Sequence, residues 1–132
     1  MEASNSTDHD AAVVLVAEDE PMVLQMLLGT LDRNGYIAIQ AGNGGELVDV
    51  ARQERPDVIL MDVMMPLLDG YAAARVLRKD PSTRDIPIIA FQPPPPGNGG
   101  KSGSLRPSDE RVLIERIQYV LESKNAHRGV RT

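Results

Sequence analysis

Asp57-Val58-Ile59-Leu60-Met61-Asp62-Val63-Met64-Met65-Pro66 is the stretch that decides the fold. A run of apolar residues leads into Asp62, and a proline follows four positions later. An uninterrupted apolar run of this length reads as a strand buried on both faces. A carboxylate at the end of such a strand is poor core filling. In open parallel α/β sheets, ligands bind outside the carboxyl ends of the strands. Asp62 stands at that kind of position.

Outward from this stretch, the pattern repeats. Val13–Ala17 is a second apolar run rich in β-branched residues, and it ends in Glu18-Asp19-Glu20-Pro21. The proline suits the first turn of a helix, and the acids complement the positive end of its dipole. Met22, Val23, Met26, Leu27 and Leu31 recur at helical spacing up to about Arg33, where Asn34-Gly35 provides a left-handed cap. A short strand over Tyr36–Ala41, a turn at Gly42–Gly45 and a helix over Glu46–Arg55 lead back to the Asp62 strand. Beyond it come a loop around Pro66–Gly70, a helix over Tyr71–Arg78 and an apolar strand over Ile86–Phe91. Strand and helix alternate at short intervals, which predicts a parallel sheet with right-handed crossovers and helices on both faces.

The alternation then stops. Residues 93–104 are proline and glycine with polar residues and no aliphatic side chain, which suits neither a helix nor a strand. Gly99-Gly100-Lys101-Ser102 is no phosphate loop, because the position that needs the first glycine is Pro95 and prolines lack the cradling N–H groups. Order resumes at Ser108, an expected N-cap, with a last helix to about Glu122. The expected divisions are a disordered leader over 1–11, one domain over 12–122, and a flexible basic tail over 123–132.

Composition bounds the rest. The chain has 132 residues, enough for one domain with a core, and it carries no Cys and no Trp. The absence of Cys excludes disulfides and thiolate metal sites and fits a reducing compartment. The polar N-terminus is no secretory signal, and no apolar run approaches the ~20 residues of a membrane span. A net charge of -5 argues against sequence-independent nucleic-acid binding. The expectation is a cytoplasmic domain that contacts neither membrane nor nucleic acid.

If the first and third strands are neighbours, Glu18, Asp19 and Asp62 converge in one cleft. Like charges at close range are costly, and a hard cation removes the cost. Mg²⁺ favours a few carboxylates with waters and a phosphate oxygen. The plainer reading makes the first acids solvated helix-cap residues.

These pieces resemble the response-regulator receiver (CheY-like) family: Val-Leu-Val-Ala-Glu18-Asp19-Glu20-Pro21, then Val-Ile-Leu-Met-Asp62 with Pro66, Asp69 and Gly70, then Ile-Pro87-Ile-Ile-Ala90. The likeness covers roughly residues 12–92 and the last helix. It implies a flavodoxin-like doubly wound parallel sheet of order 2-1-3-4-5. It implies that Asp62 accepts a phosphoryl group from a histidine kinase or histidine phosphotransfer protein. Glu18, Asp19, Asp62 and the backbone carbonyl of Met64 would hold Mg²⁺. The chain would then be a single-domain regulator signalling to an output protein by contact, a phosphoacceptor and not a classical enzyme.

The chain departs from the family in three places. Gln92 stands where the family has a switch Ser or Thr. Arg106-Pro107 stands where it has Lys-Pro, with Lys101 as the other candidate, and Arg is not a neutral replacement for Lys. The family's fourth helix is replaced by the Pro/Gly-rich segment and its fifth strand is reduced to Ser104–Arg106. These changes open a second reading, a degenerate receiver that binds partners without phosphorylation. They also predict a homodimer or partner covering the Ile86–Phe91 edge and one face of the last helix.

Overall fold

The structure, a computed structural model, describes residues 11–62, 70–91 and 107–131, with backbone alone for 70, 71, 107, 108 and 125–131. Among the described residues four strands lie parallel: β1 (Val13–Ala17), β2 (Ile37–Ala41), β3 (Val58–Asp62) and β4 (Ile88–Phe91). Their order is β2-β1-β3-β4, as the resemblance implies for these four. The described residues also form four helices: α1 (Pro21–Arg33), α2 (Gly44–Glu54), α3 (Gly70–Lys79) and α4 (Pro107–Arg131). The proposed fifth strand near residues 104–106 and the Pro/Gly-rich stretch lie outside the described residues, as does the leader over 1–10.

Side chains alternate across each strand and so sort the helices onto two faces. Val14 and Val16 of β1 and Val58 and Leu60 of β3 pack with Val23, Leu27 and Leu31 of α1 and Leu113, Ile114 and Ile117 of α4. Leu15, Ala17, Ile59 and Met61 pack on the other face with Leu47 and Ala51 of α2 and Ala73 and Leu77 of α3. All five residues of β3 are buried, because the strand is covered on both sides. The core is aliphatic, as a chain with one Phe and no Trp requires.

Local chemistry sets the element ends. Asn43 accepts from the Glu46 N–H at 2.9 Å, and Glu46 Oε1 accepts from the Gly42 N–H at 2.6 Å, so α2 begins at Gly44 and draws two glycines of the expected turn into the helix. Gly35 takes φ 85, the left-handed cap expected after α1. Arg55 takes φ 47 after α2, a conformation that a side chain resists, and Pro56 then prevents any continuation. β4 starts at Ile88 and not at Ile86, because Pro87 has no N–H for the ladder, although its carbonyl still accepts from Ile59 at 2.9 Å.

The last helix departs most from expectation. It starts at Pro107, so Ser108 is inside the first turn and is not its cap. Proline is favoured there because its fixed φ is already helical and its missing N–H would have had no partner. The backbone stays helical to Arg131, through the segment expected to be a flexible tail from Ser123. No proline or glycine interrupts Asp109–Arg128. Lys124 Nζ also reaches the Asp57 carbonyl at 3.4 Å and ties this part of α4 to the start of β3.

Candidate phosphoacceptor and metal site

The site follows from strand register. β1 pairs with β3 so that Val16 lies beside Leu60 and Ala17 beside Met61. One step further places Glu18 beside Asp62. Their side chains share the parity of Val14, Val16, Val58 and Leu60, so both project on the α1 and α4 side. The Glu18 N–H donates to the Ala41 carbonyl at 3.2 Å, which carries the ladder one residue past β1. The chain crosses outward from β1 to β2 and returns to the far side of β1 as β3, so the two acids stand at the topological switch point.

Both carboxyls are buried, Glu18 to 1% exposure and Asp62 to 5%. Glu18 Oε2 accepts the Glu20 N–H at 2.9 Å, while Glu18 Oε1 is buried and, as long as the carboxyls are ionised, receives no N–H or O–H from the described residues. The Glu18 carboxyl lies against that of Asp62. Two carboxylates are both acceptors, and they share a hydrogen bond only when one of them carries a proton. Burial pushes the Glu18 carboxyl from 4.5 up to about 8, helped by that shared hydrogen bond and by the charges of Asp62 and Asp19. The Glu20 N–H pulls the other way.

This pair is what a cation would relieve. Glu18 and Asp62 would hold a hard cation between them, and its charge would offset the cost of ionising both. Among the described residues, no three His, Cys, Asp or Glu side chains gather closely enough to hold a metal unaided. Of the three acids expected to converge, the structure thus pairs Glu18 with Asp62 and does not gather Asp19 with them as a third ligand; Mg²⁺ can be held by one or two carboxylates with waters and a phosphate oxygen. Asp19 follows Glu18 in the chain, half-buried, and acts on it through its charge. Met64, Gln92, Lys101 and Arg106 lie outside the described residues.

Glu20, expected only to complement the α1 dipole alongside Glu18 and Asp19, is the residue of this cluster that caps the helix. Pro21 at the first helical position makes residue 20 the N-cap, and Glu20 Oε2 accepts from the Met22 N–H at 3.2 Å. The signal was present in the Glu-Pro step, but a Glu cap is less common than Ser, Thr, Asp or Asn.

The sheet is doubly wound and parallel, with a buried acid pair at its switch point. Residues 14–92 match the response regulator receiver domain, and the chain belongs to that family. Receiver domains work in two-component signalling with histidine kinases and output partners, and Mg²⁺ and phosphorylation belong to the family's chemistry. Protein PilH of Pseudomonas aeruginosa is 38% identical over 118 residues, covering 83% of this chain and 98% of PilH. The polar-differentiation response regulator DivK of Brucella anthropi is 36% identical over 77 residues, covering 58% of this chain and 63% of DivK. Among solved structures, the receiver domain of a sensor histidine kinase from Pseudomonas aeruginosa PAO1 has a magnesium ion coordinated in its active site cleft. It is 27% identical with a TM-score of 0.71, covering 85% of this chain and 98% of that one. No helix among the described residues is long and apolar enough to cross a membrane.

Proposed function

We propose that this chain is a response regulator that accepts a phosphoryl group on Asp62 with the help of Mg²⁺ and signals through protein contact. The observation that carries the reading is the buried Glu18–Asp62 pair, two carboxyls lying against each other, with no N–H or O–H of the described residues donating to Glu18 Oε1. A pair so unfavourable to the folded state in the absence of a cation is the mark of a functional site.

In this reading a carboxylate oxygen of Asp62 attacks phosphorus as the bond to the donor breaks, and the donor group keeps the bonding electrons. The product is an acyl phosphate. Glu18, Asp19, Asp62 and the Met64 carbonyl would hold Mg²⁺, which when bound supplies charge neutralisation at the transferring phosphoryl oxygens. Glu18 fixes its own carboxyl through the Glu20 N–H, and the rigid β1–β3 ladder fixes Asp62 beside it. If Arg106 or Lys101 supplies a cation, it does so from beyond these residues, and Gln92 takes the switch position.

The donor is a histidine kinase or histidine phosphotransfer protein, the setting is the cytoplasm, and the protein's role is that of a phosphoacceptor. Val112 and Tyr119 are 54% and 72% exposed on α4, and Ala90 is exposed on β4, the last strand of the described sheet. Each is an exposed apolar position, on the last described strand or on α4, and together they support a second copy or an output partner at β4 or at α4.

Beryllofluoride, an acyl-phosphate mimic, tests the reading. With Mg²⁺ present it should shift the amide resonances of β1 and β3 at their carboxyl ends in the wild type and leave Asp62→Ala unchanged. An unchanged wild-type spectrum would remove the phosphoacceptor reading and leave the degenerate receiver. Sedimentation over a range of concentrations tests the second copy, and a concentration-independent monomer would exclude it.

A further inference from the structure

Glu20 makes three bonds at the junction between the acid pair and α1. Its N–H donates to Glu18 Oε2 at 2.9 Å. Its side chain accepts from the Met22 N–H at 3.2 Å. Its carbonyl accepts from the Leu24 N–H at 2.9 Å. Pro21 has no N–H, so Met22 offers the first amide of the helix that a cap can reach. Residue 20 holds an extended conformation, φ -83 and ψ 114, as a residue before proline is biased to do.

We propose that Glu20 is a positioning residue for the acid pair: its side-chain cap on α1 holds the main-chain N–H that fixes the Glu18 carboxyl. The inference rests on the metal-assisted reading of Glu18 and Asp62 and adds the device that orients them. With Oε2 anchored on the Glu20 N–H, Oε1 is the oxygen left for a cation. The device needs an acceptor at position 20 and does not need a charge. An amide or a hydroxyl should therefore serve, while a methyl group should not.

Amide hydrogen exchange on the full chain without metal, followed by titration with Mg²⁺, tests this across Glu20→Ala, Glu20→Gln and Glu20→Ser. In Glu20→Ala the residue 20 amide should exchange about fivefold faster, the scale of a lost cap, with the Leu60 amide of β3 unchanged. Mg²⁺ affinity should fall by about the same factor. Glu20→Gln and Glu20→Ser should each stay within about twofold of the wild type in both measurements, because each restores an acceptor. An alanine variant that matches the wild type overturns the proposal. So does a glutamine variant as weak as alanine with no rescue by serine, which would make the charge the operative feature. If the wild type does not respond to Mg²⁺ while the exchange ranking holds, the metal reading fails and the cap's hold on Glu18 stands. The two failures are thus distinct.

Discussion

Removing the carboxylate at position 18 should erase most of the protein's pH-dependent stability around neutrality. Glu18 titrates near 4.5 in an unfolded chain and near 8 in the metal-free fold, where burial and Asp62 hold its proton. Across that interval the folded state binds more protons than the unfolded one, so stability is full below the lower value and falls as pH rises through the upper one. The slope is at most about 1.36 kcal/mol per pH unit, so roughly 3–4 kcal/mol is lost between pH 5 and pH 8. At roughly 4 °C per kcal/mol for a domain of this size, Tm should drop by about 10 °C or more. Calorimetry in a chelator across this pH range gives the curve. Millimolar Mg²⁺ should flatten it by binding the ionised pair in the native state alone. Glu18→Gln should flatten it without metal, since its amide can donate to Asp62 where the proton had been, and should not respond to Mg²⁺. A metal-free wild type with a level Tm over this range would refute the reasoning, as would a slope that survives Glu18→Gln.

Further predictions concern the scaffold. Ile117 is fully buried on α4 against the sheet, so Ile117→Ala should cost about 2–5 kcal/mol in urea unfolding; a cost under ~1 kcal/mol would mean α4 packs loosely. Arg55 holds a left-handed backbone that glycine adopts freely, so Arg55→Gly should stabilise the protein by about 0.5–1 kcal/mol, checked by Tm. Asp80 is held down at about 2 by the Ser82 N–H, Arg52 and the Ser82 hydroxyl. Its contribution is therefore present above its usual 3.8 and lost as pH falls toward 2, and Arg52→Ala should move an NMR titration of Asp80 upward.

The sequence disclosed the sheet because burial on both faces writes an unbroken apolar run, and β3 is such a run ending in an acid. The reversal between β1 and β3 was legible once the motifs pointed to the family. The convergence of Glu18 and Asp62 was expected from the neighbouring of β1 and β3, but their direct pairing depends on register: one residue of slip would put Glu18 on the opposite face. Nothing in the letters separates the buried Glu18 from the half-buried Asp19. Arg55 gave no signal, since its conformation is one a sequence reader assigns to glycine. The length of α4 was underestimated because a polar, charged segment reads as tail, although no proline or glycine stands in it before Gly129.

The central claim is that Asp62 accepts a phosphoryl group in a metal-dependent way. Intact mass after incubation with Mg²⁺ and a small phosphodonor tests it most directly. The account predicts a single phosphoryl adduct on the wild type, lost on adding a chelator beforehand and lost in Asp62→Ala. No adduct on the wild type, or an adduct that persists in Asp62→Ala, would contradict it.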